Sequence, residues 1–155
     1  MEFWMFDTPL GTMAVGEERG AIVRLWLPNT PTPRLMPHKT PLLERAGEQI
    51  LEYLNGQRQE FDLPLVFVGT DFQKKVWKAL RDIPYGRTEC YGALAERIGC
   101  PGGARAVGTA NHRNPLPILV PCHRVVGAKG QLVGYAGGLE MKRALLELEN
   151  GKNPL

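Results

Sequence analysis

Residues 91–112 read YGALAERIGCPGGARAVGTANH. Tyr91, Leu94, Ala95 and Ile98 recur at helical spacing, and Gly99 and Pro101 stop that helix. Residues 103–112 form a second short helix, built almost wholly from small residues. Two short helices across a tight Gly/Pro turn read as a helix-turn-helix. Small side chains let the second helix approach a partner closely, with Arg105 projecting from its first turn. The partner is DNA if this is a recognition helix, or a neighbouring helix if the small residues serve packing alone.

Working outward toward the N-terminus, Phe72, Val76, Ala79, Leu80 and Ile83 form a helical stripe from about 71 to 83, ended by Pro84 and Gly86. The chain changes character near Gly69. Before it, residues 2–6, 12–16 and 21–27 read as strands, with a turn at Thr8-Pro9-Leu10-Gly11. Pro28 to Pro37 is a proline-rich loop. Thr40 then caps a helix with Pro41 at its first position. Leu43, Ala46, Ile50 and Leu54 mark one face of that helix, and Gly56 suits its end. Residues 59–62 predict a last short strand. This half holds no Cys and a single His, His38. It reads as a structural domain without a catalytic constellation.

Toward the C-terminus, Asn114-Pro115-Leu116-Pro117 is a turn and Ile118-Leu119-Val120 a buried strand. Gly127 to Gly138 holds five glycines and predicts a hairpin or wing. Met141, Leu145 and Leu148 carry a final helix. The fold class is α+β, with a sheet-plus-helix domain over 1–69 and a mostly helical domain over 70–155.

Composition narrows the function classes. A chain of 155 residues fits one domain or two small ones sharing a core, and 43% hydrophobic residues can fill it. No apolar run approaches the roughly 18–20 residues of a membrane span. Residues 1–27 carry Glu2, Asp7, Glu17 and Glu18 and do not read as a signal peptide. Three Cys make a disulfide framework improbable and point to a reducing cytosol. The net charge of +3 hides an asymmetry. Residues 1–69 carry 6 Lys/Arg against 9 Asp/Glu, net −3, whereas residues 70–155 carry 13 against 7, net +6. A basic half suits a polyanion.

The chemistry sits at Pro121-Cys122-His123-Arg124. Sulfur nucleophilicity belongs to the thiolate, a few per cent of an unperturbed thiol at neutral pH. Successive strand residues face opposite ways, so His123 assists Cys122 only if the backbone turns there or a water bridges them. A carboxylate is then wanted behind the His, and Glu147 and Glu149 are both candidates. A Cys after an apolar run is otherwise a buried small residue. Cys90, Cys100, Cys122, His112 and His123 form no zinc-ligand spacing, so no metal is expected. Nothing marks the acyl pocket of a Cys-His hydrolase.

About half the chain carries a further pattern, in order. It runs through Thr70-Asp71-Phe72-Gln73, Val76-Trp77-Lys78-Ala79-Leu80, Ile83-Pro84-Tyr85-Gly86, and Tyr91-Gly92 with Leu94-Ala95. It continues through Arg105-Ala106-Val107-Gly108, Ala110-Asn111 with Asn114-Pro115, Ile118 to Val125, Gly134-Tyr135 with Gly137-Gly138, and Lys142 with Leu145-Leu146 and Glu149. This stretch resembles the O6-alkylguanine-DNA alkyltransferases, also called methylated-DNA–protein-cysteine methyltransferases, whose signature is Pro-Cys-His-Arg. The first half is similar to that family's variable N-terminal domain.

The resemblance implies a ribonuclease H-like N-terminal domain, a winged helix-turn-helix and a cytoplasmic monomer that needs no cofactor. The partner it implies is double-stranded DNA containing O6-alkylguanine, bound through the minor groove. Cys122 matches the residue that accepts the alkyl group irreversibly, one lesion per molecule. His123 and Glu149 match the water-linked relay that activates it, which selects Glu149 over Glu147. Tyr91 matches the donor to the departing guanine, and Asn114 the residue whose turn steadies the segment before the Cys. Arg105 matches the arginine that fills the gap left by the extruded base. Ala104, Thr109, Asn111 and Arg124 fall at DNA-binding positions, and Val125, Tyr135 and Ala136 join Tyr91 around the base. The chain departs from the family at Cys90, usually Ser or Thr, and at Gly103, usually Ala, which adds backbone freedom. It departs again at Ala136, Ser in some members. Alkyltransferase-like proteins that bind lesions without accepting the alkyl group lack the cysteine.

Overall fold

The computed structural model describes residues 1–155. Strands β1 (Glu2–Thr8), β2 (Gly11–Glu18) and β3 (Ala21–Trp26) form an antiparallel sheet in the order β1-β2-β3. Met13 and Val15 of β2 face one layer, while Ala14 joins Phe3 and Trp26 in a small cluster on the other. Helix α1 (Pro41–Leu54) packs on all three strands. Its first turn is closed by the Thr40 side chain, which accepts from the Leu43 amide at 3.1 Å. Leu43, Ile50 and Leu54 are buried on its inner face, each stabilising the fold by about 2 kcal/mol.

Helix α2 (Asp71–Leu80) starts in a reciprocal cap between Thr70 and Gln73. It stops three residues before the stripe predicted. Arg81, Asp82 and Ile83 continue as a tighter turn, each amide donating to the carbonyl three residues back. Helices α3 (Tyr91–Arg97) and α4 (Ala104–His112) pack against each other and α4 against α2. The Trp77 indole N–H fastens α2 to α4 by donating to the Ala110 carbonyl at 2.8 Å. Helix α5 (Leu139–Glu149) closes the chain. One apolar core runs from Ile22 in the sheet through Tyr53 to Val107 and Leu145.

A short parallel ladder escaped the sequence reading. Strands β4 (Glu89–Cys90) and β5 (Val125–Val126) pair Glu89 with Val125 and Cys90 with Val126. It fixes the start of α3 beside the chain leaving Cys122.

Three expected elements are absent, and side-chain capture of backbone groups accounts for each. Residues 59–62 form no strand. The Asp62 carbonyl accepts from Arg45 Nη2 and Gln49 Nε2, and its amide donates to Gln49 Oε1 at 2.9 Å. The sheet is met further on, where the Val66 amide donates to the Ile22 carbonyl. Ile118-Leu119-Val120 is no strand either. The Asn114 amide group donates to the Val120 carbonyl at 2.8 Å and accepts from the Leu116 amide at 2.9 Å. That loop holds Ile118 at φ +72°, a conformation costing a β-branched residue about 1–3 kcal/mol. Residues 127–138 form no two-stranded wing. A turn closes where the Gly127 amide donates to the Gln131 carbonyl, and Lys142 and Tyr91 take the carbonyls beyond it.

Candidate active site

Cys122 begins a 3₁₀ turn, Cys122–Arg124, rather than ending a strand. The turn breaks the alternation that would have sent Cys122 and His123 to opposite faces. Asn111 on α4 donates from Nδ2 to the Cys122 carbonyl at 3.3 Å, tying the turn to that helix. The thiol is buried, and burial pushes it up to about 11.

His123 is fully buried, with Nε2 2.7 Å from Glu149 Oε2. Its other ring nitrogen, Nδ1, is buried without a hydrogen-bond partner. Burial holds the imidazole below its ordinary value, outweighing the attraction of Glu149. Its resting form at neutral pH is therefore uncharged. With Nε2–H donated to Glu149, the free lone pair lies on Nδ1.

Glu149, at the last position of α5, gathers four donor residues from three parts of the chain. Arg124 donates from Nε to Oε1 at 2.8 Å and from Nη2 to Oε2 at 3.0 Å. The Gly86 amide reaches Oε1 at 3.2 Å, and the Tyr53 hydroxyl donates to Oε2. Burial alone would push this carboxyl up. The bonds from His123 and Arg124 outweigh it and hold the group down to about 2. Glu147 makes no such contacts.

A cleft of about 660 Å³ opens along α4, the helix whose Asn111 holds the Cys122 carbonyl, lined by Tyr91, Ala104, Arg105, Thr109 and Asn111 together with Val133. Arg105 and Thr109 are exposed on α4. The Tyr91 hydroxyl donates to the Val133 carbonyl at 3.0 Å across the mouth. Val125 and Tyr135 are buried, and the Tyr135 hydroxyl has no partner. Ala136 is exposed and lines a separate groove with Arg24 and Arg113.

The region from Asp71 onward matches a family model over residues 71–151, described as 6-O-methylguanine DNA methyltransferase, DNA binding domain. The chain belongs to the 6-O-methylguanine DNA methyltransferase family. A methylated-DNA–protein-cysteine methyltransferase of Mycobacterium tuberculosis is 46% identical over 151 residues, covering 96% of this chain and 92% of that one. The constitutive enzyme of that name from Bacillus subtilis is 47% identical, covering 92% of each. The crystal structure of Mycobacterium tuberculosis OGT in complex with DNA superposes with a TM-score of 0.92 at 44% identity, over 99% of this chain and 96% of that one.

Within this methyltransferase frame, Arg124 is corrected. Its position suggested DNA contact, but its guanidinium is spent inside the fold, on Glu149 and, at 2.7 Å, on the Ile83 carbonyl. Gly103 is also corrected. Its φ of −90° is open to any residue. A Cβ there would stand 2.4 Å from Cys100 Sγ and 2.8 Å from the Cys100 carbonyl, so close approach, not backbone freedom, explains the glycine. Cys90 sits at the N-cap of α3 and makes no side-chain cap bond, the contact a hydroxyl would supply.

Two contributors escaped the sequence reading. Tyr53 continues the Leu43, Ala46, Ile50 stripe at a three-residue step, so helical periodicity carried its signal. Lys142 was visible only as a motif position. Its ammonium donates to the carbonyls of Val125 (2.6 Å), Val133 (2.9 Å) and Gly134 (3.2 Å), pinning the segment after Cys122.

Proposed function

We propose that the protein repairs O6-alkylguanine in double-stranded DNA by moving the alkyl group irreversibly onto Cys122, one lesion per molecule. The buried Cys122, His123 and Glu149 set beside the Tyr91–Arg105 cleft carries this reading.

A thiol at about 11 is ionised at roughly one part in ten thousand at pH 7, so it needs a base when the substrate arrives. His123 is neutral, with an unpartnered Nδ1. The Cys122 proton passes to Nδ1, directly or through a bridging water, and Glu149 stabilises the imidazolium that forms. The thiolate attacks the alkyl carbon, the S–C bond forms and the C–O6 bond breaks. Guanine departs with the bond's electrons. Tyr91, released from the Val133 carbonyl, donates to it, because a full anion in a dry pocket is costly. A thioether is a poor leaving group, so the S-alkyl cysteine is the end state.

A buried thiol cannot reach a stacked base, so the lesion is flipped out at a few kcal/mol. Arg105 enters the gap and offsets part of that cost. Ala104 and Thr109 line the cleft on α4 with Arg105, suiting close docking in the minor groove, with Asn111 buried behind them on the Cys122 carbonyl. The basic excess over residues 70–155 supplies sequence-independent phosphate contacts. On this reading residues 1–69 are the ribonuclease H-like domain and residues 70–155 the helix-turn-helix domain, with α3 and α4 as the helix pair and the unpaired loop over 127–138 in the place of the wing. Val125 and Tyr135 complete the base pocket. The protein acts as a cytoplasmic monomer without a cofactor. Three free thiols are consistent with a reducing compartment.

The deciding experiment incubates the protein with a duplex carrying O6-methylguanine and measures intact mass. A gain of one methylene-equivalent, mapped to Cys122, is expected. Tight lesion binding without a mass change would instead identify a non-catalytic lesion binder.

A further inference from the structure

Tyr53 belongs to α1, in the half of the chain that holds no Cys and no site motif. It is nonetheless fully buried against the catalytic residues. Its hydroxyl donates to Glu149 Oε2 and stands 3.3 Å from His123 Nε2. The ring is held by Phe61 at 5.4 Å and, edge-on, by Tyr85 at 6.2 Å. Oε2 is therefore a shared acceptor, taking Nε2–H of His123, the Tyr53 hydroxyl and Arg124 Nη2.

We propose that Tyr53 is a positioning residue for the Cys122 reaction, its hydroxyl setting how readily His123 accepts the thiol proton by sharing Glu149 Oε2 with it. This rests on the alkyl-transfer reading of the site. The physics is competition for one oxygen. Each donor draws charge from the carboxylate and leaves less to stabilise a positive imidazole. Removing the hydroxyl frees Oε2 for Nε2–H, so the imidazolium becomes easier to form. Other charged or titratable groups facing His123 are Arg124 in its own turn, Lys142 and Glu149 on α5, and Cys122. Arg124 and Lys142 oppose the imidazolium, and burial opposes it most. The Arg124 and Lys142 charges and the burial stay in place when only the Tyr53 hydroxyl is lost. Tyr53 itself stays protonated, because burial and the neighbouring carboxylate both raise it.

The design keeps the N-terminal half coupled to the chemistry. Tyr53 also belongs to the core that joins α1 to residues 70–155. A shift of α1 would move the hydroxyl and change the base.

The test is the titration midpoint of His123, followed by NMR in the full-length protein, with the single-turnover alkyl-transfer rate measured over the same pH range. Tyr53→Phe keeps the ring and removes the hydroxyl. Its His123 midpoint is expected to rise by about half a pH unit or more, with the acid limb of the rate profile moving alongside. A ring-fluorinated tyrosine in place of Tyr53 donates more strongly and moves both the other way; it decides the matter should Tyr53→Phe fold poorly. A folded Tyr53→Phe protein with an unmoved midpoint overturns the proposal. So does a moved midpoint with an unmoved acid limb. Failure of the functional reading is separate: the wild-type protein would then show no mass gain at Cys122, whatever the His123 midpoint does.

Discussion

Glu149 grips Arg124 with both carboxylate oxygens, Nε to Oε1 at 2.8 Å and Nη2 to Oε2 at 3.0 Å, in a pocket where neither group is open to solvent to any useful extent. The pair joins the end of α5 to the turn that carries Cys122. It costs desolvation of two charges, which makes the pair worth most when whole and least when one partner is missing.

Replacing one partner shows that asymmetry. Glu149→Gln leaves the Arg124 charge buried without a counter-ion. The expected loss is about 3–5 kcal/mol at pH 7, read from urea denaturation followed by circular dichroism. The sign with pH follows from the lowered carboxyl. Its stabilisation is fully present above its ordinary 4.5 and is lost as pH falls toward about 2. His123, held below its ordinary 6.5, acts in the same direction at higher pH, because the unfolded chain takes up the proton first. The gap between native and Glu149→Gln proteins should close across the acid range. A gap independent of pH contradicts an ionised Glu149.

Asn114 offers a second target. Its side chain satisfies the Val120 carbonyl and the Leu116 amide, both inside the fold, and so holds the strained Ile118. Asn114→Ala strands the Leu116 amide and leaves the Val120 carbonyl with the Cys122 amide alone. A loss of roughly 1–3 kcal/mol is expected, the cost of one orphaned buried group. Alkyl transfer should slow as well, since the segment leads directly into Cys122. Stopped-flow transfer rates together with urea midpoints test both halves of this expectation.

Cys90 predicts a gain. The thiol at the N-cap of α3 leaves the first-turn amides without a side-chain acceptor. Cys90→Ser should add about 0.5–1 kcal/mol. A melting temperature equal to that of the native protein would show that solvent already serves those amides.

Arg105 is exposed beside the cleft and makes no ion pair. Arg105→Ala should slow repair of a duplex about tenfold or more, the equivalent of 1.4 kcal/mol of lost help in holding the stack open. Reaction with a free O6-alkylguanine base should change little. Equal losses on the two substrates contradict insertion into the duplex.

Local signals carried much of the fold. Thr40-Pro41 and the Gly/Pro turn at 99–103 located helix ends, because caps and turns are decided by neighbours a few residues apart. The strands at 59–62 and 118–120 were misread for the complementary reason. Gln49 and Asn114 removed the backbone groups a ladder needs, and the captures by Gln49 and Arg45 reach back 13 and 17 residues. Arg124 was misplaced because a guanidinium reads alike whether it faces phosphate or a buried carboxylate.

The amino-acid sequence by itself determined the nucleophile, the helix pair and the charge division, since each is written in contiguous residues or in their periodicity. It also carried the family's Glu149. Only the tertiary structure decided who shares Glu149's oxygens. Tyr53 on α1, Gly86 after α2, and His123 with Arg124 in the Cys122 turn meet at one carboxylate. The proton affinity of a buried imidazole depends on those donors and on the exclusion of water, and neither is a property of any local stretch of chain.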